Sequence, residues 1–181
     1  MTRQVFVPEA IEGWRVWRLS ASRDGPRLRP NGRGELWPVR SAAVATCWRR
    51  RRHEAPVARC TCGLYAARDP SMLRQARSPA VIGMVSLWGR VVEHANGWRA
   101  GRAYPQRLDL LCHVCAANCI SGSTAEYVAR YRDRSMVPFC ASHLELSLLI
   151  GRLPLEVIAA EDVLRAVTDA YAVERLARIS T

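Results

Sequence analysis

The sequence predicts an α+β protein. An antiparallel sheet or small open β-barrel over residues 1–110 precedes a cysteine-rich module with C-terminal helices over residues 111–181. Three observations carry that expectation. Apolar and basic residues alternate with period two near the start, and an Asn-Gly pair separates two long β-rich runs in the middle. In the last third, apolar residues recur at spacings of three and four among paired cysteines. With 181 residues, 49% hydrophobic and 24% charged, the chain is excluded from the disordered class and can bury a core without staples.

Trp14-Arg15-Val16-Trp17-Arg18-Leu19 reads as a half-buried strand. Arg23 to Arg33 holds two glycines, two prolines and four arginines, which predicts an exposed loop. Ser41 to Trp48 reads as a second strand with Cys47 at its end. Gly63 to Arg77 has helical spacing that Pro70 shortens or breaks. Val81 to His94 and Trp98 to Leu111 form a hairpin about Asn96-Gly97, two residues that tolerate the positive φ of a type I′ turn. That turn sets His94 opposite Arg99 and Glu93 opposite Ala100, with Val81–Leu87, apolar on both faces, in a central strand. Ser123-Thr124-Ala125-Glu126 matches a capping box and predicts a helix to about Asp133. A second helix is expected from Cys140 to Gly151. A third starts at Pro154, with Val157, Ala160, Leu164, Val167 and Tyr171 as its apolar stripe.

Met1 to Trp14 lacks the apolar core of a signal peptide. Leu144 to Ala160 is interrupted by Glu145, Gly151, Arg152, Pro154 and Glu156. No membrane partner is expected, and the location expected is cytoplasmic. Thiols stay reduced there, so seven cysteines suggest metal ligands before disulfides.

Cys112, Cys115, Cys140 and His143 form C-x2-C-x24-C-x2-H. Two intervening residues let a tight turn aim both side chains at one ion, and two such pairs complete the tetrahedron that Zn2+ accepts. Cys119 and His113 are alternative members of the set. Four protein ligands close the coordination shell, so the expected role is structural. From Leu111 to Ile150 this arrangement resembles treble-clef zinc fingers, with a knuckle pair first and a helix-borne pair last. The resemblance implies a metal and no particular activity, since the class includes nucleic-acid binders, protein-interaction modules and purely structural sites.

Cys47, His53, Cys60 and Cys62 form a less regular candidate second site, C-x5-H-x6-C-x-C. Three readings stand open: a second zinc, a loop with half-buried thiols, or a nucleophilic Cys60 or Cys62 activated by His53. The segments His53–Pro56 with Cys60–Ala66, and Leu87–His94 with Gly97–Ala100, resemble uncharacterised bacterial and phage proteins. That likeness implies only that the segments form one unit.

The 27 basic residues, all arginine, face 16 acidic ones for a net charge of +11. The densest run is Trp48-Arg49-Arg50-Arg51-Arg52-His53. Adjacent guanidinium groups repel one another, and a polyanion relieves them through bidentate phosphate contacts. The competing source is an arginine-biased genome with a solvated loop. Trp48 and Trp98 are the candidate stacking platforms, and Arg99 and Arg102 candidate phosphate contacts, while Trp14, Trp17 and Trp88 belong in the core. No phosphate loop, lysine chemistry or nucleophile elbow is present, so no catalytic residue is assigned. The expected function is zinc-stabilised, non-enzymatic nucleic-acid binding (DNA or RNA). The alternatives are a protein-interaction adapter or self-association through the Val157–Tyr171 stripe, then a cysteine-dependent enzyme.

Overall fold

The computed structural model describes residues 3–32, 34–49, 53–73, 76, 78–118, 120 and 123–177. Among these, the strands are β1 (Arg3–Ser22), β2 (Gly25–Pro30), β3 (Ala43–Val44), β4 (Leu64–Ala67) and β5 (Val81–His94). They continue with β6 (Gly97–Leu110), β7 (Tyr127–Arg130), β8 (Ser135–Phe139), β9 (Glu156–Ala159) and β10 (Glu174–Arg175). The helices are α1 (Cys115–Asn118), α2 (Ala141–Leu149) and α3 (Ala160–Tyr171), with a 3₁₀ turn at Pro70–Leu73.

The protein is α+β and mostly antiparallel, with β10 running parallel to β6. The expected antiparallel sheet is present, but the alternative of a small open barrel needs correction. The order β1–β5–β6–β4 returns to β1 through a single pair, Trp14 with Ala67, so the ring closes unevenly. Bulges between Val7 and Ile11 in β1, and between Trp88 and Val91 in β5, let these long strands curve. Strand pairing crosses residue 110, since β8 pairs with β1 and β10 with β6. No helix among the described residues is long and apolar enough to cross a membrane.

The Asn-Gly hairpin forms, but Ala95 and Asn96 make its turn. His94 pairs with Gly97 and Glu93 with Trp98, a slide of two residues that keeps the side chains beside the turn on their expected faces; past the bulge between Trp88 and Val91 the slide is three residues, as far as Val85. Gly97 (φ +152°) belongs to the strand because a Cβ there would strike the Ala66 backbone carbonyl on β4. As expected, β5 is central, flanked by β1 and β6.

Elsewhere tertiary pairing overrides the local signal. Arg23–Gly32 is no loop throughout: Arg23 and Asp24 turn the chain into β2, which starts at Gly25 (φ +101°), and Leu28 is wholly buried. Among the described residues β2 pairs only with β1, and such an edge tolerates Pro26 and Pro30. The Ser41–Trp48 strand contracts to Ala43–Val44, and Gly63–Arg77 holds β4 and the 3₁₀ turn. The capping-box helix is absent. Tyr127–Arg130 is β7, held between β8 and β9 with Val128 and Ala129 completely buried. Glu126 still serves a helix start: its Oε1 accepts from the Ala141 N–H, the first residue of α2. The last helix begins at Ala160, because Glu156–Ala159 pairs with β7 as β9.

The main core lies between the sheet and α3. Val163, Leu164, Val167 and Tyr171 bury the helix stripe, Trp17 packs edge-on to Trp37 at 5.2 Å, and Leu28, Leu87 and Val91 fill the centre. Each such buried side chain contributes about 1.5–3 kcal/mol. The Tyr171 hydroxyl donates to the Trp37 carbonyl (2.9 Å) and accepts from the Leu28 N–H (3.1 Å). Replacing Tyr171 by Phe leaves a buried carbonyl and N–H unpaired, and is expected to cost about 1–3 kcal/mol in urea unfolding.

Candidate metal centres

The end of β6 builds the first cluster. Leu111 bridges Thr124, the Cys112 N–H bonds the Ser123 carbonyl at 2.8 Å, and the His113 N–H bonds the Pro138 carbonyl at 3.1 Å. These bonds fix the turn Cys112–Cys115 against the β7–β8 hairpin. Cys140 follows β8 directly as the N-cap of α2, and His143 lies in the first turn of that helix.

The ligand atoms converge. Cys112 Sγ lies 3.8 Å from Cys140 Sγ and 3.4 Å from His143 Nδ1, while Cys115 Sγ lies 3.9 and 3.3 Å from the same two atoms. Cys140 Sγ and His143 Nδ1 are 3.2 Å apart. Zn–S bonds of about 2.3 Å and Zn–N bonds of about 2.0 Å imply tetrahedron edges of about 3.8 and 3.5 Å, which these separations match. Burial opposes ionisation of Cys112, but the N–H groups of Cys115, Cys140 and Val114 outweigh it and bring the thiol down to about 7. Burial and then the neighbouring sulfurs push Cys115 up to about 12. One thiolate forms readily and the next resists it, a conflict that a dication at the centre removes.

The second cluster hangs from β6. β3 and β4 lie end to end along that strand, Val44 opposite Arg102 and Leu64 opposite Ala100, so the chain between them projects from one place. Cys47, His53, Cys60 and Cys62 meet there, with all four ligand atoms within 4.8 Å of one another. Cys47 Sγ is 3.7 Å from Cys60 Sγ, and His53 Nε2 is 3.3 Å from Cys62 Sγ.

The irregular C-x-C spacing works because its turn is braced. Arg99, on β6 and only 7% exposed, donates to the Cys60 carbonyl and, at 3.0 Å, to that of Cys62. The Tyr65 hydroxyl donates to the Thr61 carbonyl at 2.5 Å. Gly63 (φ +126°) lets the chain pass, since a Cβ there would lie 2.9 Å from Arg99 Cβ. The Cys62 N–H lowers the Cys60 thiol below its ordinary value, while burial raises that of Cys62. A nucleophile and base need only the Cys62–His53 pair. Four converging donors match a metal site.

Other expectations need correction. His113 is not a ligand: its ring packs edge-on to Phe139 at 4.8 Å. Cys119, Arg50, Arg51 and Arg52 lie outside the described residues. Arg99 cannot meet phosphate, being buried in the brace. Trp98 is half-buried beneath the Arg68 guanidinium, 4.3 Å from its ring, and is no free platform. Trp17 is fully buried, whereas Trp14 and Trp88 are half-buried. Trp48, at 71% exposure, stands in solvent with Arg49 and Arg102. The Arg99 brace escaped sequence reading because its carbonyl partners lie 37 and 39 residues away in the chain.

No family model matches the chain, and no curated protein or solved structure is significantly similar to it.

The protein is expected to hold zinc at both clusters. Metal analysis of Cys112→Ser and Cys60→Ser should each show loss of one equivalent. Cys112→Ser should also unfold residues 111–150, visible as lost amide protection, because metal-site binding energy is folding energy.

Proposed function

We propose that the protein is a zinc-stabilised, non-enzymatic nucleic-acid-binding protein whose second metal centre shapes the binding loop. The observation that carries this reading is the bracketing of Trp48–Arg52 by two members of one cluster, Cys47 and His53. Ligation of Cys47 and His53 to one ion holds together the two residues that flank the run. The entropy of holding like charges together is then lost on folding and not on binding. Trp48 supplies an exposed ring for stacking, and Arg49 and Arg102 supply phosphate contacts.

The first centre has a structural role in this reading. Its order of knuckle, β7–β8 hairpin and helix α2 supports the resemblance to treble-clef fingers. A metal at Cys60 and Cys62 also leaves those thiols unreactive, which sets the cysteine-enzyme alternative aside.

Binding to labelled single-stranded DNA, duplex DNA and RNA should show log affinity falling linearly with log salt, with one form preferred. Trp48→Ala should weaken binding by about 1–3 kcal/mol, and Arg49→Ala should reduce the salt slope by about one. Equal, weak binding to all three nucleic acids and to an acidic protein would count against the reading.

A second reading, self-association, shifts to a new surface. The stripe of α3 is buried within the chain, so Leu164→Glu should unfold the protein instead of dissociating it. A run of exposed apolar residues lies at the end of α2 and just after it: Leu149 is 84% exposed and Leu153 77%, with Ile150 and Leu155 beside them. They adjoin β9, which ends the sheet. An edge strand pairing antiparallel with its own copy closes about a twofold axis. Concentration-dependent mass that Leu153→Glu abolishes would support this reading, whereas a monomeric mass at every concentration would remove it.

A further inference from the structure

A cavity of about 340 Å³ that contains none of the eight candidate metal ligands lies between β1, β4 and the 3₁₀ turn. Arg15, Asn31, Tyr65, Met72, Leu73 and His94 are among its lining residues. The volume falls at the lower end of the range of about 300–1,000 Å³ typical of small-molecule sites.

Two of its polar atoms, Arg15 Nε and His94 Nε2, have no partner in the protein. The Arg15 guanidinium lies 4.9 Å from the Trp37 ring and 5.8 Å from that of Trp17, and it donates through one terminal nitrogen to the Tyr65 carbonyl. The rings favour a cation but accept no conventional hydrogen bond, and Arg15 Nε is buried without a partner. His94 Nε2, also buried, is likewise unpartnered. All 16 acidic residues fall within the described part of the chain, yet none forms an ion pair with Arg15. Burial lowers the Arg15 pKa only to about 10, so the group stays cationic at neutral pH. A desolvated cation with an idle donor, facing a cavity, is a site for an anion.

The class of anion follows from the walls. Arg15 and His94 supply the unpartnered polar points, Asn31, Asn96 and Tyr65 add polar lining, and Met72, Leu73, Ala66 and Ala67 make much of the rest apolar. Burial, then Arg99 and Arg68, hold His94 below the ordinary histidine range, so among the described lining residues Arg15 is the cation. We propose that this cavity binds a small organic carboxylate with a compact apolar body, whose carboxylate accepts from Arg15 Nε and whose apolar part lies on Met72 and Leu73. His94 Nε2 offers a second hydrogen-bonding point.

The test is calorimetry on the full zinc-loaded chain with benzoate, hexanoate, their neutral amides and inorganic phosphate. The expected result is saturable one-to-one binding of at least one carboxylate, with its amide at least tenfold weaker. Arg15→Met should abolish that binding. Met72→Trp fills the cavity from a half-exposed position that a folded chain accommodates, and should abolish it too. Amide binding equal to acid, phosphate binding in place of both carboxylates, no binding of either carboxylate to the folded protein, or binding that survives Met72→Trp would each overturn the proposal.

Discussion

The β5–β6 ladder is the constraint on which the rest depends. Its antiparallel register runs from the His94–Gly97 pair to Val81–Leu110, and β6 offers its other edge to β3, β4 and β10. One end of that strand delivers Cys112 to the first cluster. Its middle holds the Arg99 brace and the β3–β4 junction from which the second cluster projects. The two clusters lie far apart in sequence but share one rigid support. Sites on strands are held more tightly than sites on loops, and here the loop-borne ligands gain precision from the strand beneath them.

That support redistributes the meaning of the arginines. A net charge of +11 suggests a broad basic face, but individual guanidinium groups have separate tasks. Arg99 braces backbone carbonyls, Arg68 covers Trp98, and Arg90 and Arg130 pair with Glu54 and Glu156. Arg15 is held on two indole rings at the rim of a cavity. Exposure, partner and neighbouring rings decide which charges face solvent. Composition counts them all alike. Among the described residues Arg49 and Arg102 are exposed, as are Arg23, Arg29, Arg40, Arg59 and Arg132, so the outward charge is spread over several segments.

The α3 helix shows the same distinction in apolar form. Its stripe reads in sequence as a face packed on something, and that something is the chain's own β2 and Trp37, tied through the Tyr171 hydroxyl. The apolar residues left outside, Leu149 to Leu155, have no such periodicity. A surface patch is defined by what the fold fails to cover, so it carries no helical or strand signature.

By itself, the sequence determined the local features. They include the α+β class, the central hairpin, the α2 start at Cys140, the amphipathic stripe of α3 and the two close-spaced pairs Cys112/Cys115 and Cys140/His143. Each rests on residue type at short spacing, where the physics acts within a few residues: period two, period three to four, or two thiols one turn apart. The tertiary structure alone decided the rest. It made Tyr127–Arg130 a strand despite its capping box, because burial between β8 and β9 outweighs the worth of one cap. It set the hairpin turn one residue earlier, because Gly97 must pass close to β4. It brought Arg99 under a turn nearly forty residues away and left Arg15 facing a cavity without a counter-ion. These outcomes depend on which distant segments meet, and no local window contains that information.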